Sequence, residues 1–285
     1  MKKTMWCALL LGGLALAAPA RADQWEKTYK LTGKPELRVS SNDGSIELNS
    51  SAAQEIHVRV WTSGWRISSD EVQITRDAQE GNRVEFEVRV PRSHWNWGFS
   101  SIHKELRIEV TVPQESNLDL RTGDGHITAR RVTGDIRIDT SDGHVTADDL
   151  HGNVRIHTSD GHIEGSGFDG TLDAETSDGH MRLRGRFDAL KLHTGDGSIT
   201  AEAMPGSKMT GEWSIRTSDG SVTLRLPDGF SAELDAHTGD GTISSQLPIS
   251  VSGALNRSSL RGNINKGGPT LLVRTGDGSI RIERT

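Results

Sequence analysis

Thr122-Gly123-Asp124-Gly125-His126-Ile127, Thr140-Ser141-Asp142-Gly143-His144-Val145, Thr158-Ser159-Asp160-Gly161-His162-Ile163 and Thr176-Ser177-Asp178-Gly179-His180-Met181 are copies of one phrase, each 18 residues from the next. The phrase continues in Thr194-Gly195-Asp196-Gly197-Ser198-Ile199 and returns around Asp219-Gly220, Asp240-Gly241 and Asp277-Gly278, after intervals of 23, 21 and 37 residues. A related Ser41-Asn42-Asp43-Gly44-Ser45-Ile46 stands far upstream. Self-similarity at a fixed period marks a repeat architecture, in which each unit buries its apolar face only against its neighbours.

Within each unit the pattern has period two, as in strands with one buried face. Before the corner run the pairs Leu118/Leu120, Ile136/Ile138, Val154/Ile156, Leu172/Ala174 and Leu190/Leu192; after it come Ile127, Val145, Ile163, Met181 and Ile199. Arg137, Asp139, Arg155 and His157 fall between them and are expected to face water. Asp-Gly between alternating strands also signals a β-hairpin. In a meander, however, equivalent residues would lie two strands apart, and like would have no reason to recur over like. The constant period therefore predicts an all-β chain, a parallel β-solenoid (β-helix) of about 18-residue rungs that stack at ~4.8 Å. A lone rung cannot offset the entropy of ordering itself, so stability is collective and the ends need caps.

Three segments follow: residues 1–22 as a signal peptide, 23–116 as an irregular β cap region, and 117–285 as the solenoid with its C-terminal cap. Lys2 and Lys3, the short apolar run Leu9–Ala18 and Ala20-Arg21-Ala22 read as a secretory signal cleaved after Ala22. The apolar run is too short to span a bilayer. No later segment approaches that length, so no membrane span is expected after cleavage. The cap region carries alternating strands closed by Pro91 and Pro113, and the 37-residue interval before Asp277 is expected to cover the far end before a final strand pair.

Cys7, the single cysteine, lies in the signal segment, so the mature chain is expected to have no disulfide and no thiol chemistry. Losing Lys2, Lys3 and Arg21 leaves 30 basic against 39 acidic residues, a net charge of −9. That balance argues against nucleic acid as a partner. The expected compartment is the periplasm, the cell surface or the extracellular space.

The serial Thr-Gly-Asp-Gly-Ser-Ile and Thr-Ser-Asp-Gly-His-Ile units, Ile108-Glu109-Val110-Thr111-Val112-Pro113 before the first regular unit, and the terminal Thr275-Gly276-Asp277-Gly278-Ser279-Ile280 together resemble the DUF4097 family of adhesin-like β-strand repeat proteins. The resemblance covers most of the mature chain. It implies a parallel β-helix on the envelope side of a membrane, an adhesion or envelope role, and no catalytic residues.

The candidate chemistry is sparse. Asp124, Gly125, Asp142, Gly143, Asp160, Gly161, Asp178, Gly179, Asp196, Gly197, Asp219, Gly220, Asp240, Gly241, Asp277 and Gly278 read as structural turns. Glycine there is expected to supply a positive φ and aspartate to cap the turn through a backbone N–H. The spacing matches neither the EF-hand nor the calcium nonapeptide pattern. His126, His144, His162 and His180 should form a surface column in which stacked imidazoles could share a metal; Ser198, Ser221, Thr242 and Ser279 take that place later, which favours an ordinary polar position. No metal, cofactor or catalytic residue is assigned. Gly123-x-Gly125 lacks the third glycine of a dinucleotide fingerprint. Trp95, Trp97 and Phe99 alternate in a loop and form the candidate binding surface, or else plug the end of the solenoid.

The function expected is a non-catalytic exported envelope protein, an adhesin-like binding or scaffolding solenoid whose partner is an envelope glycan or protein. A polysaccharide-active enzyme on a β-helix and a self-assembling structural protein, which would make self-association a partner class, are the alternatives.

Overall fold

The structure is a computed structural model and describes residues 22–91, 104–251 and 257–285. The N-terminal strands are β1 (Ala22–Lys30), β2 (Glu36–Ser41), β3 (Ser45–Ser51), β4 (Glu55–Ser63), β5 (Gln73–Glu80), β6 (Arg83–Arg89) and β7 (Glu105–Pro113). The regular stack follows as β8 (Asn117–Thr122), β9 (Ile127–Thr140), β10 (Val145–Thr158), β11 (Ile163–Thr176) and β12 (Met181–Asp196). Beyond it lie β13 (Ile199–Ala203), β14 (Trp213–Asp219), β15 (Val222–Leu226), β16 (Ala232–Asp240), β17 (Ile243–Ser245), β18 (Ile249–Val251), β19 (Ser259–Ile264), β20 (Thr270–Asp277) and β21 (Ile280–Arg284).

The expected solenoid is present. β9, β10, β11 and β12 pair in parallel with like over like: Ile136 beside Val154, Val154 beside Leu172, Leu172 beside Leu190, and Ile127, Val145, Ile163 and Met181 in the column after the corner. These side chains are buried, while Arg137, Arg155 and His157 between them are exposed. Each rung has two corners. One is the Asp-Gly phrase. The other, which the repeat did not disclose, bends β9, β10 and β11 in mid-strand at Arg131, Asp149 and Gly167, whose φ values of 58°, 53° and 72° are left-handed. Two of these residues carry a Cβ; three residues further on, Gly134, Gly152 and Gly170, also 18 apart, have φ of 159°, 105° and 130°, so this corner has a glycine column of its own, separate from the Asp-Gly phrase. Its inside is filled by Val132, Leu150 and Phe168, and then by Phe187, Trp213 and Phe230, whose rings meet at centroid distances of 6.3, 6.2 and 5.1 Å along the run from Phe168 to Phe230.

The boundary expected at residue 117 is not where the stack begins. Leu37 pairs with Leu118 and Ile46 with Ile127, so β2 and β3 form a rung in the same register, with Asp43-Gly44 at its corner. β6 and β7 lie outside them, again in parallel, with Val84 beside Leu37 and Ile108 beside Ile46. The cap proper is the antiparallel set β1, β4 and β5, added to β7 and β6. It is tied shut by Asp77, which accepts hydrogen bonds from Tyr29 at 2.7 Å and Lys27 at 2.7 Å, and by Trp25 stacked on Phe86 at 5.1 Å.

The far end also departs from chain order. The interval before Asp277 was expected to cover the far end before a final strand pair, β20 and β21, and that pair does not simply follow β16 and β17 outward. Instead they pair on one side with β14 and β15 and on the other with β16 and β17, so Leu271 sits between Trp213 and Leu234. β19 and β18 then close the stack in antiparallel on β16. The cause is the insertion after Asp240, which lets the chain turn back and lay its last Thr-Gly-Asp-Gly phrase into the open edge of the rung that ends at Leu226.

Because of this placement, Leu271→Ala should destabilise the protein by about 2–5 kcal/mol, as a fully enclosed leucine does. Ile249→Ala, on the outermost strand, should cost clearly less. Denaturant unfolding checks this; equal small effects would return β20 to the periphery.

Candidate functional site: the Asp-Gly edge and the polar face

At every Asp-Gly corner the backbones of successive rungs come close enough to dictate residue type. A Cβ built on Gly125 would overlap the carbonyl oxygen of Gly44, on Gly143 that of Gly125, on Gly161 that of Gly143, on Gly179 that of Gly161 and on Gly197 that of Gly179. The expected left-handed φ is absent from these five glycines and is kept only at a few corners, such as Gly44 at 86°. The glycines are therefore required by close approach rather than by chain reversal.

The threonine that opens each phrase completes the corner, a role that sequence reasoning missed although the residue never varied from Thr122 onward. Its hydroxyl donates to the glycine carbonyl of the preceding rung: Thr140 to Gly125 at 3.1 Å, Thr158 to Gly143 at 3.1 Å, Thr176 to Gly161 at 3.0 Å and Thr194 to Gly179 at 3.0 Å. The same bond joins Thr217 to Gly197, Thr275 to Gly220 and Thr238 to Gly278, which confirms that the phrase of β20 lies inside that of β16. All these threonines are buried among the core residues.

The aspartates behave differently from the expected turn cap. Among the described residues, only the Asp43 carboxylate bonds a corner amide, that of Gly44 at 2.6 Å. Asp142, Asp160 and Asp178 use their backbone N–H toward the preceding rung. Among the described residues, the side chains of Asp124, Asp142, Asp160, Asp178, Asp196, Asp219, Asp240 and Asp277 have no hydrogen-bond or ion-pair partner and stand exposed in one column. Neighbouring charges ~4.8 Å apart repel by just under ~1 kcal/mol in water, so the column costs stability rather than adding to it.

Beside it the imidazoles form the expected column. His126, His144, His162 and His180 stack at centroid distances of 5.0, 4.7 and 5.1 Å with interplanar angles of 8°, 3° and 16°. Each Nδ1 accepts the backbone N–H of the next rung: His126 from His144 at 3.0 Å, His144 from His162 at 3.0 Å, His162 from His180 at 3.1 Å and His180 from Ser198 at 3.1 Å. The neutral ring then carries its proton on Nε2. In near-parallel rings this far apart, like nitrogens are too widely separated to share one ion at ~2.1 Å from each. Among the described residues no group of three or more His, Cys, Asp or Glu side chains is gathered as a metal site.

Before the corner, the outward face carries an open groove of about 680 Å³ that crosses the rungs of β6, β2, β8, β9, β10 and β11. Arg38 pairs with Asp119 at 2.9 Å, Arg137 with Asp139 at 2.7 Å, and Asn153 donates to Asp135 at 2.8 Å. Arg155, also in the groove, has no partner among the described residues. The displaced carboxylates lie elsewhere. Arg274 and, less strongly, Arg261 hold Asp235 below its ordinary range, with burial opposing. At Asp77 burial pushes upward, but the hydrogen bonds from Lys27 and Tyr29 prevail and lower it. Both serve the caps as ion-pair anchors, and neither is poised as a general acid.

Trp95, Trp97 and Phe99 lie outside the described residues. Among the described aromatics, Trp61 has the Arg107 guanidinium 5.7 Å from its ring centre and Trp65 has the Lys104 ammonium at 5.6 Å.

The fold and its surfaces define a two-cornered parallel β-solenoid of stacked Thr-x-Asp-Gly rungs. The chain belongs to the DUF4097 family, Toastrack, whose model matches residues 35–283. That span takes in β2 to β7, in keeping with their place in the stack. Among solved structures it is similar to a "putative adhesin" from Bacteroides fragilis (13% identity, 92% of this chain and 97% of that one, TM-score 0.43). It is also similar to a "putative lipid binding protein" from Parabacteroides distasonis (14%, 94% and 99%, TM-score 0.41) and a "putative cell adhesion protein" from Clostridium sporogenes (13%, 93% and 100%, TM-score 0.34). No curated protein matches.

Two outcomes follow from the corner geometry. Gly143→Val or Gly161→Val should lower thermal stability several-fold more than Ser244→Val on an exposed position, since overpacking against backbone cannot relax; equal effects would remove the close-approach account. A chelator should leave the melting temperature unchanged, and a loss restored by calcium or zinc would make the Asp or His column a ligand set.

Proposed function

We propose that the protein is an exported, non-catalytic envelope protein, and that its solenoid is an adhesin-like binding or scaffolding surface for an envelope glycan. The observation that carries this reading is the open groove across the rungs of β6 to β11. It runs along the stack, so its guanidinium, amide and carboxylate groups recur at about the rung spacing of ~4.8 Å. An extended polar polymer laid along the axis meets a similar set of donors and acceptors at each step. Arg155, without a partner among the described residues, and Asn153 beside it are the residues best placed to contact it.

Among the described residues no helix is long and apolar enough to cross a membrane. Export itself rests on the N-terminal signal pattern. Cleavage after Ala22 would leave Asp23, whose carboxylate accepts the backbone N–H of Ile67 at 2.9 Å, as the first residue of β1.

Retention of the mature chain on isolated envelope polysaccharide tests the reading. Asn153→Ala combined with Arg155→Ala should reduce retention several-fold while stability changes by no more than about 0.5 kcal/mol, as is usual for exposed positions. Unchanged retention would move the site off this groove. Capture of envelope protein but no glycan would replace the partner class, and release of shortened glycan would replace binding by hydrolysis.

A further inference from the structure

At the position after the corner glycine, two kinds of residue accept a backbone N–H from the neighbouring rung. In the four regular rungs the imidazole Nδ1 of His126, His144, His162 or His180 accepts the next rung's backbone N–H. Farther along, serine takes over: the Ser221 hydroxyl accepts the backbone N–H of Ser279 at 3.4 Å, and Thr242 and Ser279 bond through their hydroxyls at 3.3 Å. Both satisfy an amide between rungs, but only the imidazole can lose its acceptor by taking up a proton.

We propose that the histidine column is an acid-sensitive seam, in which protonation of the stacked rings breaks the inter-rung bonds between His144 and Ser198 and opens the Asp-Gly edge while the serine-bearing rungs stay closed. The chemistry leaves one route. Nε2 already carries a hydrogen, so an added proton must go to Nδ1, where it turns the acceptor into a donor facing another donor. Each ring lies against its neighbours at 4.7 to 5.1 Å, so a charge on one disfavours a charge on the next.

The surrounding charges are accounted for. Glu164, on the outward face of β11, favours the charged form of His144; burial, followed by His162 and His126, outweighs it and lowers that histidine's pKa. Arg182 is paired with Glu164 at 2.8 Å. Asp124, Asp142, Asp160 and Asp178 precede the rings by two residues on the corner, and Asp43 occupies the rung below. With the folded pKa depressed, the unfolded or opened state takes up protons first. The contribution of the bond that His144 accepts from His162 is therefore complete above the unfolded histidine value of about 6.5 and is lost as pH falls through the lower folded value of His144.

The threonine ladder lies on the buried side of the same corner and does not titrate, so the opening is local rather than global.

Amide hydrogen exchange of the mature chain between pH 7.5 and 5, corrected for intrinsic rates, tests the proposal against a variant carrying His126→Ser, His144→Ser, His162→Ser and His180→Ser. The wild type should lose protection several-fold at His144, His162, His180 and Ser198 on acidification, with Ser279 unaffected; the variant should show no such pH dependence. Nitrogen chemical shifts of the wild-type imidazoles should report the Nε2–H tautomer at pH 7.5. Equal pH dependence in both proteins, uniform protection across the range, or the Nδ1–H tautomer would each overturn the proposal. The last measurement decides the matter even if the fourfold variant does not fold.

Discussion

The glycine carbonyl at each Asp-Gly corner points at the rung stacked on it, across a gap that no side chain can enter. Everything regular in the molecule answers to that contact. Glycine must recur over glycine because a Cβ would displace the carbonyl beneath, and threonine must recur over threonine because a buried carbonyl left without a donor costs about 1–3 kcal/mol. Once both columns are in register, the 18-residue period follows, and the aliphatic columns on either side are aligned without further instruction. Ladder hydrogen bonds along the strands then complete a structure in which no rung is stable alone.

Much of this was legible in the sequence, and what was missed has identifiable causes. The period, the two apolar columns and the solenoid class could be read because equivalent residues touch, so physical contact and textual repetition coincide. The second corner is harder to read because its left-handed residues include Arg131 and Asp149, and its glycine column, Gly134, Gly152 and Gly170, stands apart from the Asp-Gly phrase. The rung formed by β2 and β3 was taken for part of a cap because its partner phrase lies far along the chain, and sequence distance conceals spatial adjacency. Glycine was assigned the right place for the wrong reason: a turn and a close approach demand the same residue, and only coordinates separate them. The aspartates show the reverse case, since a plausible turn cap leaves their carboxylates facing water.

The surface divides its work in the same way. On the groove face, opposite charges are matched within and between rungs, as in Arg38 with Asp119, which permits a neutral, polar, repetitive lining. On the Asp-Gly edge, like charges are left in line. The first arrangement suits recognition of a polymer with its own repeat, and the second sets the electrostatic character of the edge on which the imidazoles stack. His157 and His193, also exposed, belong to the strand faces and have no part in that stack.

The interleaving of strands at both ends has a bearing on how the chain reaches its folded state. A solenoid laid down strictly in order could grow rung by rung as the chain emerged, each finished rung serving as the template for the next. Here β3 meets β9 only after some eighty intervening residues have been made, and the slot between β15 and β17 is filled by β21, which follows both in the chain. The β2–β3 rung and the β20–β21 pair are consequently each held between strands from distant parts of the chain, like the tucked ends of a knotted cord. The stack therefore settles only after β20 and β21 are in place, and, once settled, neither the β2–β3 rung nor the β20–β21 pair can be withdrawn without first parting the strands on either side of it.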